Sequence, residues 1–198
     1  NHYMVDILKY NQYDTIYHEH IRNYSLKSLV YLFNLYGLKI IDCEVLDRYN
    51  GSIKVIVAKN KKTKIHKRVE ETLNKEMKFG QTKKKVWNKF RANTKKSKDD
   101  LIKLLYKLKK DNKTIVGNSC PCRSSVLLNY CGIGKDLIPY IAEQPTSPKL
   151  GLYLPGQHIP IVNNKILVKD QPDYILLLAW HYTKPIIKHL RNMGVKSK

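Results

Sequence analysis

The densest chemistry in the sequence lies in Tyr13-Asp14-Thr15-Ile16-Tyr17-His18-Glu19-His20. Imidazoles, a carboxylate and phenols stand within eight residues of one another. An imidazole takes up a proton near neutral pH. A neighbouring carboxylate orients the ring and stabilises its protonated form. A phenol donates a hydrogen bond to an oxygen that gains negative charge. Together these are the parts needed to remove a proton beside a carbonyl and to hold the enolate that results. His-x-His with one acid is also the start of a metal site, but no clear further ligand accompanies it, and no metal is expected. The same stretch also reads as the polar end of a strand.

Two loops offer binding rather than proton chemistry. The first is Asn118-Ser119-Cys120-Pro121-Cys122-Arg123, which follows a short apolar strand ending in Gly117 and precedes a helix. A strand–loop–helix junction turns free backbone amides toward a ligand and suits phosphate. Ser119, Arg123 and Ser124 are the candidate contacts, with the Arg123 guanidinium as a fork for a diphosphate. The spacing matches no standard phosphate loop, and an ordinary βα-turn is the competing reading. Cys120 and Cys122 flank a proline and read as packed thiols. The second loop runs from Tyr153 to Ile161, where prolines and Gly156 stiffen the chain around His158. His158 is a candidate substrate contact or a histidine bonded within its own loop. Trp180-His181-Tyr182 follows an apolar strand at the same expected sheet edge.

The elements that position these residues fall into three blocks. In residues 1–58, Ser25 can cap a helix whose apolar face is Leu26, Leu29, Val30, Leu32, Phe33 and Tyr36, with Gly37 as its stop. Residues 38–46 read as a strand, Asn50-Gly51 as a tight turn, and residues 52–58 as the returning strand. Residues 59–112 form a charged block of two long, mostly exposed helices. Val69, Leu73, Glu76 and Met77 make one stripe; Val86, Trp87 and Phe90 make another. Ser97 before Asp99 and Asp100 reads as a helix start, with Leu101, Leu104, Leu105 and Leu108 on one face. In residues 113–198, strand signals at 114–117 and 137–142 alternate with helix signals at 124–131 and 183–192. Residues 173–180, the most apolar run, suit a central parallel strand buried on both faces. The expected class is α/β: a helix and β-hairpin segment, a helical linker, then a small Rossmann-like domain with a mainly parallel sheet.

Composition narrows the function classes. The chain has 198 residues, long enough to bury a core without disulfides. No apolar run reaches membrane-spanning length, and Asn1 to Asp6 lacks the order of a signal peptide. Four cysteines without paired zinc spacing read as reduced thiols in a cytoplasmic protein. Lys and Arg total 37 against 16 Asp and Glu, a net charge of +21. Residues 59–113 hold 21 basic and 6 acidic side chains, a net of +15. The excess therefore belongs to an exposed helical face, and nucleic acid is not the expected partner. The first residue is Asn rather than Met, which reads as a piece of a longer protein.

The stretches YDTIYHEH, SLKSL, NGSIKV, LLNYCGI, LYLPGQHIPI and PDYILLLAW, in this order, resemble the C-terminal part of S-adenosylmethionine-dependent C-methyltransferases. The best understood members of that family act on nucleotide-linked keto-deoxysugars. The resemblance covers both ends of the chain and is weakest over residues 59–96. It implies that the proton at C3 of a 4-keto sugar is removed and the enolate methylated. It implies His20 as the base, with Tyr17 and Glu19 as positioning or enolate-stabilising partners. It gives residues 1–58 the end of the methyltransferase core, 59–112 a basic helical connector, and 113–198 a substrate-binding domain. The family's zinc-binding and cofactor-binding regions have no counterpart in this sequence. The expected partners are therefore a nucleotide-linked keto sugar and a separate or preceding N-terminal half carrying the S-adenosylmethionine site. Without that half, the chain by itself is expected to be inactive. The alternatives are a non-catalytic module that binds a nucleotide-sugar or a protein, and a basic nucleic-acid binder. Relatives often have a Gly-rich loop where this chain has Asn118 to Ser125, and Gly-Gly-Ser where it has Asn50-Gly51-Ser52.

Overall fold

The computed structural model describes residues 2–47, 51–60 and 62–198. The chain opens with a short helix α1 (Met4–Lys9), which buries Val5, Ile7 and Leu8, and then a single 3-10 turn (Tyr13–Thr15). Helix α2 (Leu26–Leu35) starts as its sequence predicts. The Ser25 hydroxyl accepts from the Ser28 amide at 3.2 Å, while the Ser28 hydroxyl accepts from the Ser25 amide at 3.0 Å. That reciprocal pair satisfies two amides that helical geometry leaves without partners. Gly37 follows at φ 68°, a conformation that costs a residue with a Cβ free energy.

Strands β1 (Lys39–Leu46) and β2 (Ser52–Ala58) form an antiparallel hairpin. Its expected turn includes Asn50, which lies outside the described residues. A bulge between Ile40 and Asp42 shifts the register, and the freed Ile41 carbonyl accepts from the His66 amide at 2.8 Å. Helix α3 (Lys67–Phe79) is thereby fixed at its start, and Gly80 ends it at φ 75°. The Arg68 guanidinium grips the Asp42 carboxylate through both Nε and Nη2. That pairing holds the Asp42 carboxyl below its usual range. The hairpin, α2 and α3 close over Leu26, Leu29, Ile40, Cys43, Ile53 and Val69.

One member of the α3 stripe behaves differently from its neighbours. Glu76 is 1% exposed, whereas Met77 is 68% exposed. The Glu76 carboxylate accepts from the amides of Leu26 at 2.5 Å and Lys27 at 3.0 Å, from Tyr3 Oη at 2.9 Å and from Gln81 Nε2 at 2.9 Å. Leu26 and Lys27 begin α2, so a buried anion sits at the positive end of that helix. Burial, with the nearby Glu76 charge, pushes the Tyr3 phenol well above its ordinary range.

Helix α4 runs unbroken from Lys84 to Lys110. Ser97 is interior to it, so the predicted helix start there is wrong. No Gly or Pro interrupts these residues, and good helix formers carry the helix through the weak Ser-Lys-Asp-Asp stretch. The buried face is Leu105 with Leu101, Ile102 and Leu108 packed beside it; Leu104, placed there by the sequence reading, is 51% exposed.

Strand β3 (Ile115–Asn118) is buried along its whole length. It leads to helix α5 (Arg123–Cys131) and strand β4 (Ile141–Glu143). Strand β5 (Ile161–Asn163), helix α6 (Ile166–Asp170), strand β6 (Tyr174–Leu177) and helix α7 (Thr183–Asn192) follow. The four strands form a parallel sheet in the order β5-β4-β3-β6. One core contains Leu105, Leu128, Ile138 and Ile141, and another contains Val116, Ala142, Leu167 and Leu190. Helices thus cover a parallel sheet on both faces, the α/β layering expected.

Two strand readings are corrected. Residues 137–142 are strand only from Ile141, because Leu137 and Ile138 turn back onto the Gly134 carbonyl and Pro139 follows. The apolar run 173–180 yields β6, a sheet-edge strand half-buried throughout, while β3 and β4 are the interior strands. The open side of β6 is closed by main chain: the Ile175 amide donates to the Lys198 carbonyl at 2.8 Å, and the Lys198 amide to the Asp173 carbonyl at 2.9 Å. Apolar content reports burial, and a covered edge buries nearly as well as a centre.

The chain divides into two compact units, residues 1–94 and 95–198. Among the described residues no helix is long and apolar enough to cross a membrane.

Candidate active site

In the first unit, Tyr17, Glu19 and His20 come together on the turn after the 3-10 helix. The His20 amide donates to the Tyr17 carbonyl at 2.8 Å, which folds the tetrapeptide back on itself. The Tyr17 hydroxyl stands 3.4 Å from His20 Nε2 and 3.3 Å from Glu19 Oε2. The two rings lie 4.3 Å apart between centroids. On its other nitrogen, His20 Nδ1 is 2.9 Å from the Thr15 carbonyl oxygen.

That last bond settles the tautomer. A carbonyl oxygen only accepts, so Nδ1 carries the hydrogen and donates it. In the neutral ring the lone pair is then on Nε2, the nitrogen beside Tyr17. Thr15 is fully buried, and its hydroxyl donates to the Gln12 carbonyl at 2.8 Å, so the accepting carbonyl belongs to a fixed turn. His18 is on the outside, its Nε2 4.0 Å from Glu19 and both side chains largely exposed. Among the described residues no three His, Cys, Asp or Glu side chains gather as a metal ion requires.

In the second unit, Ser119, Arg123 and Ser124 share the carboxyl edge of β3. Ser119 has φ 65°, its amide donates to the Ala142 carbonyl at 2.8 Å, and its hydroxyl donates to Asn118 Oδ1 at 3.1 Å. The Ser124 hydroxyl donates to the Pro121 carbonyl at 2.6 Å and is buried, so it holds the loop's shape. The Cys120 amide, expected to face a ligand, donates to Glu143 Oε2 at 2.7 Å. Burial pushes the Cys120 thiol up, so it stays protonated and unreactive near neutrality.

Arg123 is 5% exposed. Its guanidinium lies 5.0 Å from the centre of the Trp180 ring, and Nη1 donates to His181 Nδ1 at 3.1 Å. A guanidinium has no acceptor, so His181 accepts at Nδ1 and carries its hydrogen on Nε2. Burial, then the Arg123 charge, pushes the His181 pKa down to about 4, and the ring is neutral at pH 7. Trp180 and His181 were visible in the sequence only as residues following an apolar strand. The structure joins them to Arg123 because β6 pairs with β3 in register, which sets the two strand ends side by side.

His158 lies apart from these residues. It is exposed at φ 50° on a turn closed by the Leu154 amide and Ile159 carbonyl. Asn129 fastens that turn, its Nδ2 donating to the Pro155 carbonyl at 2.9 Å and to the Ser125 carbonyl at 2.8 Å. Asn129 is six residues beyond Arg123 on α5, or roughly 9 Å along the axis. Gly156 is required there: it has φ 90°, and a Cβ on it would fall 2.0 Å from Asn129 Oδ1.

A helix–hairpin unit followed by a covered parallel sheet makes this an α/β protein. Residues 48–197 match the family model described as the C-methyltransferase C-terminal domain, and the chain belongs to that family. It is 36% identical over 186 residues to the C-methyltransferase NovU of Streptomyces niveus, a match covering 93% of this chain and 44% of NovU. The chain thus spans under half the length of this relative.

Proposed function

We propose that this chain is the proton-removing and substrate-holding part of a C-methyltransferase acting on a carbon beside a ketone. The observation that carries the reading is the His20 geometry: Nδ1–H tied to a buried carbonyl, and the Nε2 lone pair turned to the Tyr17 hydroxyl. Nε2 takes the proton as the C–H bond breaks. The bonding pair becomes the enolate, whose charge settles on the former ketone oxygen. Tyr17 donates to that oxygen, and Glu19, 3.3 Å from the Tyr17 hydroxyl, positions the phenol. The enolate carbon is then the nucleophile.

The family implies S-adenosylmethionine, which supplies an electrophilic methyl group. The described residues do not fit it. Their one parallel sheet has no glycine between Asn118 and Arg123, and a carboxylate already holds the Cys120 amide there. In this reading the methyl donor is held outside the residues described.

The acceptor in this reading is a nucleotide-linked 4-keto sugar methylated at C3. Residues 1–58 carry the base, 59–112 connect, and 113–198 hold the nucleotide through Arg123 and Ser119. Ser124 shapes that loop, and His158, on its own exposed turn, is the proposed outer contact to the substrate.

Isotope exchange tests the proton step without the methyl donor. The chain is incubated in D2O with a dTDP-4-keto-6-deoxysugar, and loss of the C3 proton signal is followed by NMR. Wild type exchanges that proton, and His20→Asn slows exchange by about 100-fold or more, as expected for loss of a general base. Equal exchange by His20→Asn, or none by wild type while the nucleotide binds, refutes the assignment.

A further inference from the structure

The Tyr17–His20 turn explains one side of the His20 ring. On its other contact stands a residue that spacing along the chain does not associate with it. The His2 ring lies 4.3 Å from the His20 ring between centroids, inclined at 62°, an edge-to-face arrangement. Tyr17 lies at the same centroid distance, 4.3 Å, inclined at 50°. His20 is thus held by two aromatic rings and by the Thr15 carbonyl.

His2 is fixed by main chain. It forms an antiparallel bridge with Ser52, at the first residue of β2. The Tyr3 amide donates to the Gly51 carbonyl at 3.3 Å, Tyr3 bridges to Tyr24, and the Met4 amide donates to the Tyr24 carbonyl at 2.9 Å. Tyr3 is then anchored inside by the Glu76 carboxylate at 2.9 Å. A side chain presented from so fixed a backbone has a defined direction, and here that direction meets His20.

We infer that His2 is a positioning residue for His20, its ring holding the imidazole in the plane where Nδ1–H meets Thr15 and Nε2 faces the Tyr17 hydroxyl. This inference rests on the reading of His20 as the base. A free neutral imidazole favours no single tautomer strongly, and its ring turns about its second side-chain torsion. One hydrogen bond restrains that torsion at one atom. A second contact on a different part of the ring restrains the plane. His2 acts through His20 and needs no contact with substrate.

The test uses the 198-residue chain with 15N-labelled histidine. At neutral pH the ring nitrogen shifts of His20 report the ratio of Nδ1–H to Nε2–H tautomer. His2→Phe keeps a ring edge without a ring nitrogen, and His2→Leu keeps volume without a ring. His2→Phe should leave the ratio as in wild type. His2→Leu should lower the Nδ1–H fraction by about 2- to 10-fold relative to Nε2–H, the scale of one aromatic contact. An unchanged ratio in His2→Leu, or a loss in His2→Phe equal to that in His2→Leu, overturns the inference. The readout is the His20 ring itself, so it stands or falls apart from the isotope-exchange result on substrate.

Discussion

Removing the buried carboxylate of Glu76 should destabilise the first unit as much as truncating a large side chain of its apolar core. The carboxylate accepts from two α2 amides, a tyrosine hydroxyl and a glutamine amide, and is itself 1% exposed. In Glu76→Ala those buried donors lose their acceptor, each at about 1–3 kcal/mol, non-additively. The favourable placement of an anion at the α2 N-terminus, worth up to about 2 kcal/mol, is lost as well. The original cost of burying the charge is relieved, which offsets part of this. The net expectation is about 3–5 kcal/mol for Glu76→Ala. Glu76→Gln should cost less, about 1.5–3 kcal/mol. Gln81 Oε1 is buried without a hydrogen-bond partner, so a turned Gln81 amide can accept from the new amide group. The Lys27 amide, facing a second donor, gains no such relief. Urea unfolding read by Trp87 fluorescence in a Trp180→Phe background reports the first unit, because Trp87 lies within residues 1–94. Both variants within about 0.5 kcal/mol of wild type would refute the reasoning, since that is the range of an ordinary surface change.

Other expectations are more local. Gly156→Ala combines a left-handed backbone with displacement of Asn129, and should cost roughly 2–4 kcal/mol in unfolding of the second unit; Asn129→Ala in the same chain should recover part of it. Ser97→Ala should raise stability by a few tenths of a kcal/mol, as for a helix interior. A loss of about 1 kcal/mol there would mean that Ser97 caps a helix after all. His181 binds its proton more weakly folded than unfolded, with a folded pKa of about 4. Its contribution is therefore intact above the unfolded value near 6.5 and is lost as pH falls toward 4. Melting temperature should drop between pH 7 and 5 in wild type, and His181→Phe should flatten that slope.

Local signals were legible in the sequence and non-local ones were not. Ser25, Gly37 and the alternation in residues 52–58 act on their own neighbours, and each does in the structure what it predicts. Glu76 reads as one step of a helical stripe because its partners, Leu26 and Lys27, are fifty residues away along the chain. Residues 173–180 read as a central strand because hydrophobicity records burial without recording neighbours; strand order is set by which edges remain open. Ser97 carries the residue types of a cap, but a cap needs a chain break before it, and residues 84–96 supply none. At the candidate active site, the Tyr-His-Glu-His turn was legible as a cluster of proton chemistry. Its tautomer was not, because that depends on where a buried turn directs a carbonyl. His2 was invisible for the same reason that Glu76 was, since a main-chain bridge to Ser52 brings it to His20.

The Thr15 carbonyl has a consequence for how this chemistry can be lost. The atom that decides which nitrogen of His20 is basic belongs to the main chain. Every amino acid at position 15 brings the same oxygen, so a side-chain scan there reports only on how the Thr15 hydroxyl holds the turn and not on the accepting group itself. Position 15 is open to drift among residues that keep the 3-10 turn, and closed to any that unwind it. On the proposed role of His20, the function can then be lost through a residue such as Gln12 that holds the turn from one step away, with His20 itself still in place.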